Sequence, residues 1–172
     1  MKRLAFALVL ESVLIGLLGA CAPAHVAVQT PYDASQYVSY RSEGANTIRG
    51  QAFLTKRGGG VVTCAGRPVF LSPDSPYFRE IATIAVSGSK PDFPHGPGGP
   101  EDVVRHTTCD AQGNFGFGHL PDGNYILLAS VRWTVDDRPQ GGPMWLPGSV
   151  SGGTPRRVIL SNGVFEANRA SH

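Results

Sequence analysis

Thr108 to Trp133 reads TCDAQGNFGFGHLPDGNYILLASVRW, and its punctuation decides the fold. Two turn signals, Asp110-Ala-Gln-Gly113 and Pro121-Asp-Gly123, separate runs of strand-like residues. An Asp side chain can accept from turn amides, Gly supplies the positive φ of a tight connection, and Pro121 pre-sets φ. Phe115 and Phe117 stand two apart among glycines, so both rings project from one face of a strand. Beyond the second turn, Tyr125, Leu127, Ala129, Val131, Trp133 and Val135 alternate with positions that turn polar from Ser130 onward, which predicts a long strand with one apolar face. Strand, hairpin, strand, turn, strand is the grammar of an all-β domain. The segment holds no catalytic constellation.

Thr108, Asp110, Gly113, Phe115, Phe117, Leu120, Gly123 and Tyr125 fall at the spacing T-x-D-x-x-G-x-F-x-F-x-x-L-x-x-G-x-Y. That spacing resembles the carboxypeptidase regulatory-like domain, a transthyretin-like (prealbumin-like) β-sandwich. Ile48-Arg-Gly-Gln-Ala52 resembles the family's first strand and Arg67-Pro-Val-Phe-Leu71 its second, so the likeness runs from about Asn46 to Phe165. The resemblance implies a sandwich of about seven strands in which Asp110, Gly113, Phe115, Phe117, Gly123 and Tyr125 are structural. Such domains serve as appendages, adhesin modules and lipoprotein bodies, so fold does not imply activity here. No catalytic module stands beside the domain, and the metallopeptidase activity associated with the family is not carried over.

The N-terminus speaks about location. Lys2 and Arg3 precede an apolar run, Leu4 to Leu18, that ends in Leu18-Gly19-Ala20-Cys21. A basic start, a short apolar run and small residues before a cut are the layout of a secretory signal. The ending resembles a bacterial lipobox, which implies removal of residues 1–20 and acylation (palmitate among the acyl groups) of Cys21. Glu11 fits poorly, and an uncleaved anchor or a plain signal peptide are the other readings. Ala22 after the cysteine favours sorting to an outer membrane, with the domain facing the periplasm or the cell surface. The membrane, through this lipid anchor, is thus one expected partner, and an envelope protein is another.

Cys64 and Cys109 both fall in the exported part, where disulfides form and persist. A bridge between them would close a loop of about 46 residues and contribute on the order of 4 kcal/mol in the chain-entropy model. Two free buried thiols, or a redox pair, are the alternatives; no Cys-x-x-Cys occurs.

Some 152 residues remain after cleavage at Cys21, enough for one domain with a real core. Without Lys2, Arg3 and Glu11 the chain has 13 basic and 12 acidic side chains, no footprint for nucleic acid. The polar stretch 21–45 predicts a solvated tether, although Tyr32, Tyr37 and Tyr40 offer aromatics that could dock on the domain or on a partner. The domain spans 46–172. Residues 73–102 are its least family-like part: Tyr77, Phe78, Ile81, Ile84 and Ala85 at helical spacing, with Ser75 as N-cap and Pro76 at the first position, suggest a short amphipathic helix or an irregular strand. KPDFPHGPGGP, Lys90 to Pro100, predicts an exposed loop. A second long loop is expected over Asp136–Pro143, then a short edge strand around Met144–Leu146. A hairpin through Asn162-Gly163 is expected near the end.

Candidate chemistry is sparse. Gly148-Ser-Val-Ser-Gly152 lacks the strand-to-helix context of a nucleophile elbow, and neither a His-Glu-x-x-His motif nor a phosphate loop occurs. His95, His106 and His119, with Asp92, Asp102 or Asp122, could make zinc ligands only if the Pro/Gly loop folds over the sheet; unrelated surface imidazoles are the expectation. Asp136-Asp137 supplies too few oxygens for calcium. No cofactor is expected, and the oligomeric state is open. The function expected first is a non-enzymatic, lipid-anchored envelope protein whose β-sandwich is a structural or protein-interaction module, through edge-strand pairing among other means. The alternative is a carbohydrate- or small-ligand-binding lipoprotein using the aromatics Trp145, Phe93 and Tyr77, with Trp133 assigned to the core.

Overall fold

The computed structural model describes residues 23–171. The signal segment and the acylation site Cys21 lie outside the described residues. Ten strands and two α-helices follow one another: β1 (His25–Ala27), β2 (Asn46–Thr55), β3 (Val61–Thr63), β4 (Pro68–Pro73), α1 (Pro76–Val86), β5 (Lys90–Asp92), β6 (Arg105–Thr108), β7 (Asn114–Leu120), β8 (Gly123–Val135), β9 (Arg138–Val150), β10 (Arg156–Leu160) and α2 (Asn162–Ala170). One sheet has β2 at its centre, paired parallel to β10 and antiparallel to β7 and β3. The other runs β6-β4-β8-β9, with all pairings antiparallel. Their facing sides close over one core, and the architecture is the expected all-β sandwich.

The deciding segment folds as its residues dictate. Asp110 accepts from the backbone N–H groups of Gln112 (2.9 Å) and Asn114 (2.8 Å) and from the Asn114 side chain (2.9 Å). The hydrogen bonds from Asn114 hold its carboxyl below the usual carboxylate range. Gly113 sits at φ 82°, where an added Cβ would also lie 2.7 Å from the Ala52 carbonyl oxygen. Phe115 and Phe117 are buried together with Tyr125, Leu127, Ala129 and Val131 between the sheets. Their burial is the main hydrophobic contribution of this strand pair.

Gly123 corrects the reading of the second turn. Its φ is not positive; the left-handed residue nearby is His119, at φ 54° inside β7, where the register with β2 shifts. Gly123 is required for room, because a Cβ there would come within 2.8 Å of the Tyr40 ring. Tyr40 in turn meets the Tyr125 ring edge-on at 5.2 Å, and its hydroxyl donates to the Asn124 carbonyl at 3.1 Å. Tyr125 donates to the Pro121 carbonyl at 2.9 Å, fixing the corner.

The stretch expected to be a solvated tether is instead docked. Ala34–Arg41 forms a 3-10 helix behind an Asp33 cap, and Tyr37 is only 3% exposed. Tyr32 stacks on Tyr37 at 5.2 Å; on α1, Tyr32 packs with Tyr77 and Phe78, and Tyr37 with Phe78. The Gln29 and Thr30 amides donate to the Glu80 carboxylate at 2.7 and 2.8 Å, and β1 pairs with β5. Aromatic area buried at few rotatable bonds outweighs the entropy of a free arm.

Three further expectations are corrected. The Asp136–Pro143 loop is a tight hairpin: Asp136 and Asp137 both take positive φ (47° and 59°), and β9 pairs with β8 from Arg138 to Val150. A two-residue turn of this hand matches strand twist, and Asp tolerates it better than most residues. Pro139, Pro143 and Pro147 share one parity on β9, turned away from β8, where no N–H is needed. The hairpin at Asn162-Gly163 is absent; Asn162 starts α2, and its side chain bonds the Thr55 backbone in both directions at 2.8 and 3.1 Å. Lys90–Pro100 is no simple loop either, since its first three residues are β5.

Cys64 and Cys109 are joined, Cα to Cα 5.8 Å, and both are buried. The bridge links the end of β3 in one sheet to the end of β6 in the other.

Burial pushes the phenols of Tyr77 and Tyr125 up to about 12. Both folded values lie above the unfolded value near 10, so the stability they carry is intact below pH 10 and is lost as pH rises from 10 through 12. The melting temperature should therefore hold flat to about pH 9.5 and fall steeply over that window. Tyr125→Phe should flatten the fall; an unchanged slope would contradict it.

Candidate functional site

Two strands of the sandwich and the segment between β4 and β6 build the site. In the outward-facing half of β8 lie Ile126 and Leu128, and beside them on β4 lie Phe70 and Ser72. Period two alone would leave these side chains in water on the outer face of the sheet. Here α1 lies over that face and presents Phe78, Ile81 and Ala82. Ser75 starts the helix, its hydroxyl accepting from the Phe78 amide at 3.4 Å and pairing with the Tyr37 hydroxyl at 2.8 Å. The segment from Pro91 to Val104 closes the far side with Pro91, Phe93, Pro100 and Val104.

The pocket, open to solvent on one side, has a volume of about 270 Å³. Ser72 and Glu101 are the polar side chains of its lining; the others are hydrocarbon or aromatic. Glu101 is engaged by His95, which holds its carboxyl below the usual range. Phe93 lies 4.9 Å from the His95 ring at the same rim. The wall is further tied by Tyr32, which donates to the Gly99 carbonyl at 3.2 Å, and by the Gly98 amide, which donates to Asp102 at 2.8 Å. A space so lined offers water few hydrogen bonds and suits an apolar guest.

A second cleft, about 440 Å³, separates Val28–Tyr32 of the N-terminal arm from Pro94–Pro100. Tyr77 borders it at 2% exposure, and its hydroxyl is buried without a hydrogen-bond partner. A buried donor in that state invites a guest with an acceptor.

The three aromatics singled out in the sequence are not gathered into one exposed platform. Phe93 lines the apolar pocket, while Tyr77 is buried beneath the arm. Trp145 is no loop residue: it lies within β9, partly buried against the α1 cluster, and its amide donates to Asn168 of α2 at 2.7 Å. Trp133 packs against the core between the sheets. Sequence reasoning missed Ile126, Leu128 and Phe70 as site residues. The uninterrupted Tyr125-Ile-Leu-Leu-Ala129 run was the available signal, since a strand apolar on both sides needs a cover on each.

His95 pairs with Glu101, the ring of His106 on β6 lies 6.4 Å from that of Phe70 on β4, and His119 lies near the end of β7. Among the described residues no three His, Cys, Asp or Glu side chains converge as metal ligands would. Asp136 and Asp137 are turn residues. No helix of the described residues is long and apolar enough to cross a membrane, and the closed disulfide fits an exported chain.

No protein-family model matches the sequence, and no curated protein matches it. Among solved structures, the chain is similar to a proposed carbohydrate-binding protein from Pseudomonas aeruginosa, at 24% identity and a TM-score of 0.64, over 77% of this chain and 99% of that one. That likeness shows a shared β-sandwich fold. The major pilin subunit of Bacillus cereus aligns at 13% identity and a TM-score of 0.37, over 70% of this chain and 29% of that one.

Proposed function

We propose that this chain is a non-enzymatic, lipid-anchored cell-envelope protein whose carboxypeptidase regulatory-like sandwich is an interaction module, working through the apolar pocket on its outer face. The pocket carries this reading. The insertion between β4 and β6 covers a hydrocarbon-lined space whose one carboxylate, Glu101, is engaged by His95, a lining that supports holding an apolar guest. An exported chain acylated at Cys21 would present that pocket close to a membrane.

Full-length protein carrying Cys21→Ser, purified without lipid, should bind the neutral fluorophore N-phenyl-1-naphthylamine saturably at one site per chain. Leu128→Trp, which fills the pocket, should weaken binding by about tenfold or more. Non-saturable binding, or binding indifferent to Leu128→Trp in a variant that melts like the parent, would overturn the pocket as the working site.

A second reading is carbohydrate or small polar ligand binding in the cleft beside Tyr77. The unpartnered phenol supports it, as does the name given to the Pseudomonas aeruginosa neighbour. Saturable glycan binding that survives Leu128→Trp would favour this reading over the first.

A further inference from the structure

We propose that the occupant of the apolar pocket is one acyl chain of the protein's own anchor at Cys21. The inference rests on the acylated-envelope reading above and names the guest of the same site.

The N-terminal arm brings the attachment point to the pocket. The Ala24 carbonyl accepts from the Lys90 amide at 2.8 Å, and Val26 is paired with Pro91, itself part of the pocket wall. Ala24 is thereby fixed one residue from the lining. Cys21 lies three residues before it, a reach of about 10 Å at most. A chain attached there meets the pocket as an intramolecular ligand, at an effective concentration of roughly millimolar.

The energetics favour leaving the bilayer for the pocket. A hydrocarbon chain moving between two apolar surroundings forfeits little. The side chains of Phe70, Phe78, Phe93, Ile126 and Leu128 meanwhile exchange poorly bonded water, or no contact at all, for packing. Phe70, 40% exposed with its ring at the pocket wall, gains cover in the same step. The lining carries one carboxylate, Glu101, already engaged by His95, so the guest needs no charged head inside. An acyl chain whose polar linkage stays on Cys21 outside meets that condition.

The test feeds producing cells a photoactivatable fatty acid, irradiates intact membranes and maps the crosslinked peptides of the full chain. Intrachain crosslinks to the peptides bearing Phe78–Ala82 and Ile126–Leu128 are expected, and they should disappear in Leu128→Trp. Should Leu128→Trp fail to fold, Phe70→Trp fills the same space from the rim. Label found on bilayer lipids alone, or crosslinks unchanged when the pocket is filled, would overturn the proposal.

The naphthylamine titration of the Cys21→Ser protein separates the two levels. If that protein binds the probe at one site while the acylated protein binds it equally well, the pocket stands and the self-docked chain falls. If the Cys21→Ser protein co-purifies with a free phospholipid in the pocket, the guest is a membrane lipid and the proposal falls likewise. An acylated chain that excludes the probe at least tenfold supports it.

Discussion

Asn46→Asp is expected to remove about 3–5 kcal/mol of stability at pH 7, the cost of an unpaired buried charge. Asn46 is 1% exposed at the start of β2 and ties three pieces of chain together. Its amide donates to the Leu120 carbonyl at 3.0 Å and to Asp122 at 2.8 Å, and its oxygen accepts from the Gly153 amide at 2.8 Å. In the variant one carboxylate oxygen keeps the Gly153 amide, while the other would face the Asp122 carboxylate and the Leu120 carbonyl without a donor. Desolvation and the like charge both raise the new group's folded pKa above its unfolded value. Its stability penalty is therefore largest above that folded value and shrinks as pH falls through it, so the gap to the native protein should narrow in acid. Urea unfolding at pH 7 and pH 4 reads both effects. A variant as stable as the native protein at pH 7 would mean that this corner is hydrated, not closed.

The second large effect belongs to the disulfide. Cys64→Ala with Cys109→Ala should lose roughly 3–4 kcal/mol, the loop entropy of two cysteines 45 positions apart. For a domain of this size that corresponds to about 10 °C in melting temperature. Dithiothreitol should lower the native melting point by a similar amount and leave the double variant unmoved. Equal melting of the native protein in reductant and oxidant would argue against a closed bridge. The bridge joins the two sheets, and its loss frees one end of the sandwich to open. Alanine leaves no polar atom at either buried site, which keeps the measurement to the crosslink and a small loss of packing.

Local chemistry was most legible where the chain itself supplies every partner. Asp110 and Gly113 form their turn from residues within a few positions, and Ser75-Pro76 starts α1 as a cap and a preset φ should. Long-range packing was not legible. Gly123 looks like a turn glycine in sequence, yet its need comes from Tyr40, which lies far earlier in the chain. The arm reads as polar and proline-spaced, and nothing local reveals that α1 offers Tyr77 and Phe78 to its tyrosines.

The strong Asn162-Gly163 signal failed because the following Glu-Ala-Asn-Arg-Ala stretch prefers a helix, and because Asn162 finds the Thr55 backbone. Proline misled once. Pro139, Pro143 and Pro147 suggest a loop until their even spacing is noticed, which leaves every pairing amide of β9 intact. The candidate pocket shared this fate: its wall residues lie on β4, α1, β8 and the Pro91–Val104 segment, and no motif links them.

The far side of β9 has a consequence for assembly. Its row of outward amides is interrupted by three prolines, and the Trp145 amide between them is taken by Asn168. A growing fibril in which copies add laterally to this sheet needs two receptive borders. With one border sealed, propagation in that direction halts after a single addition.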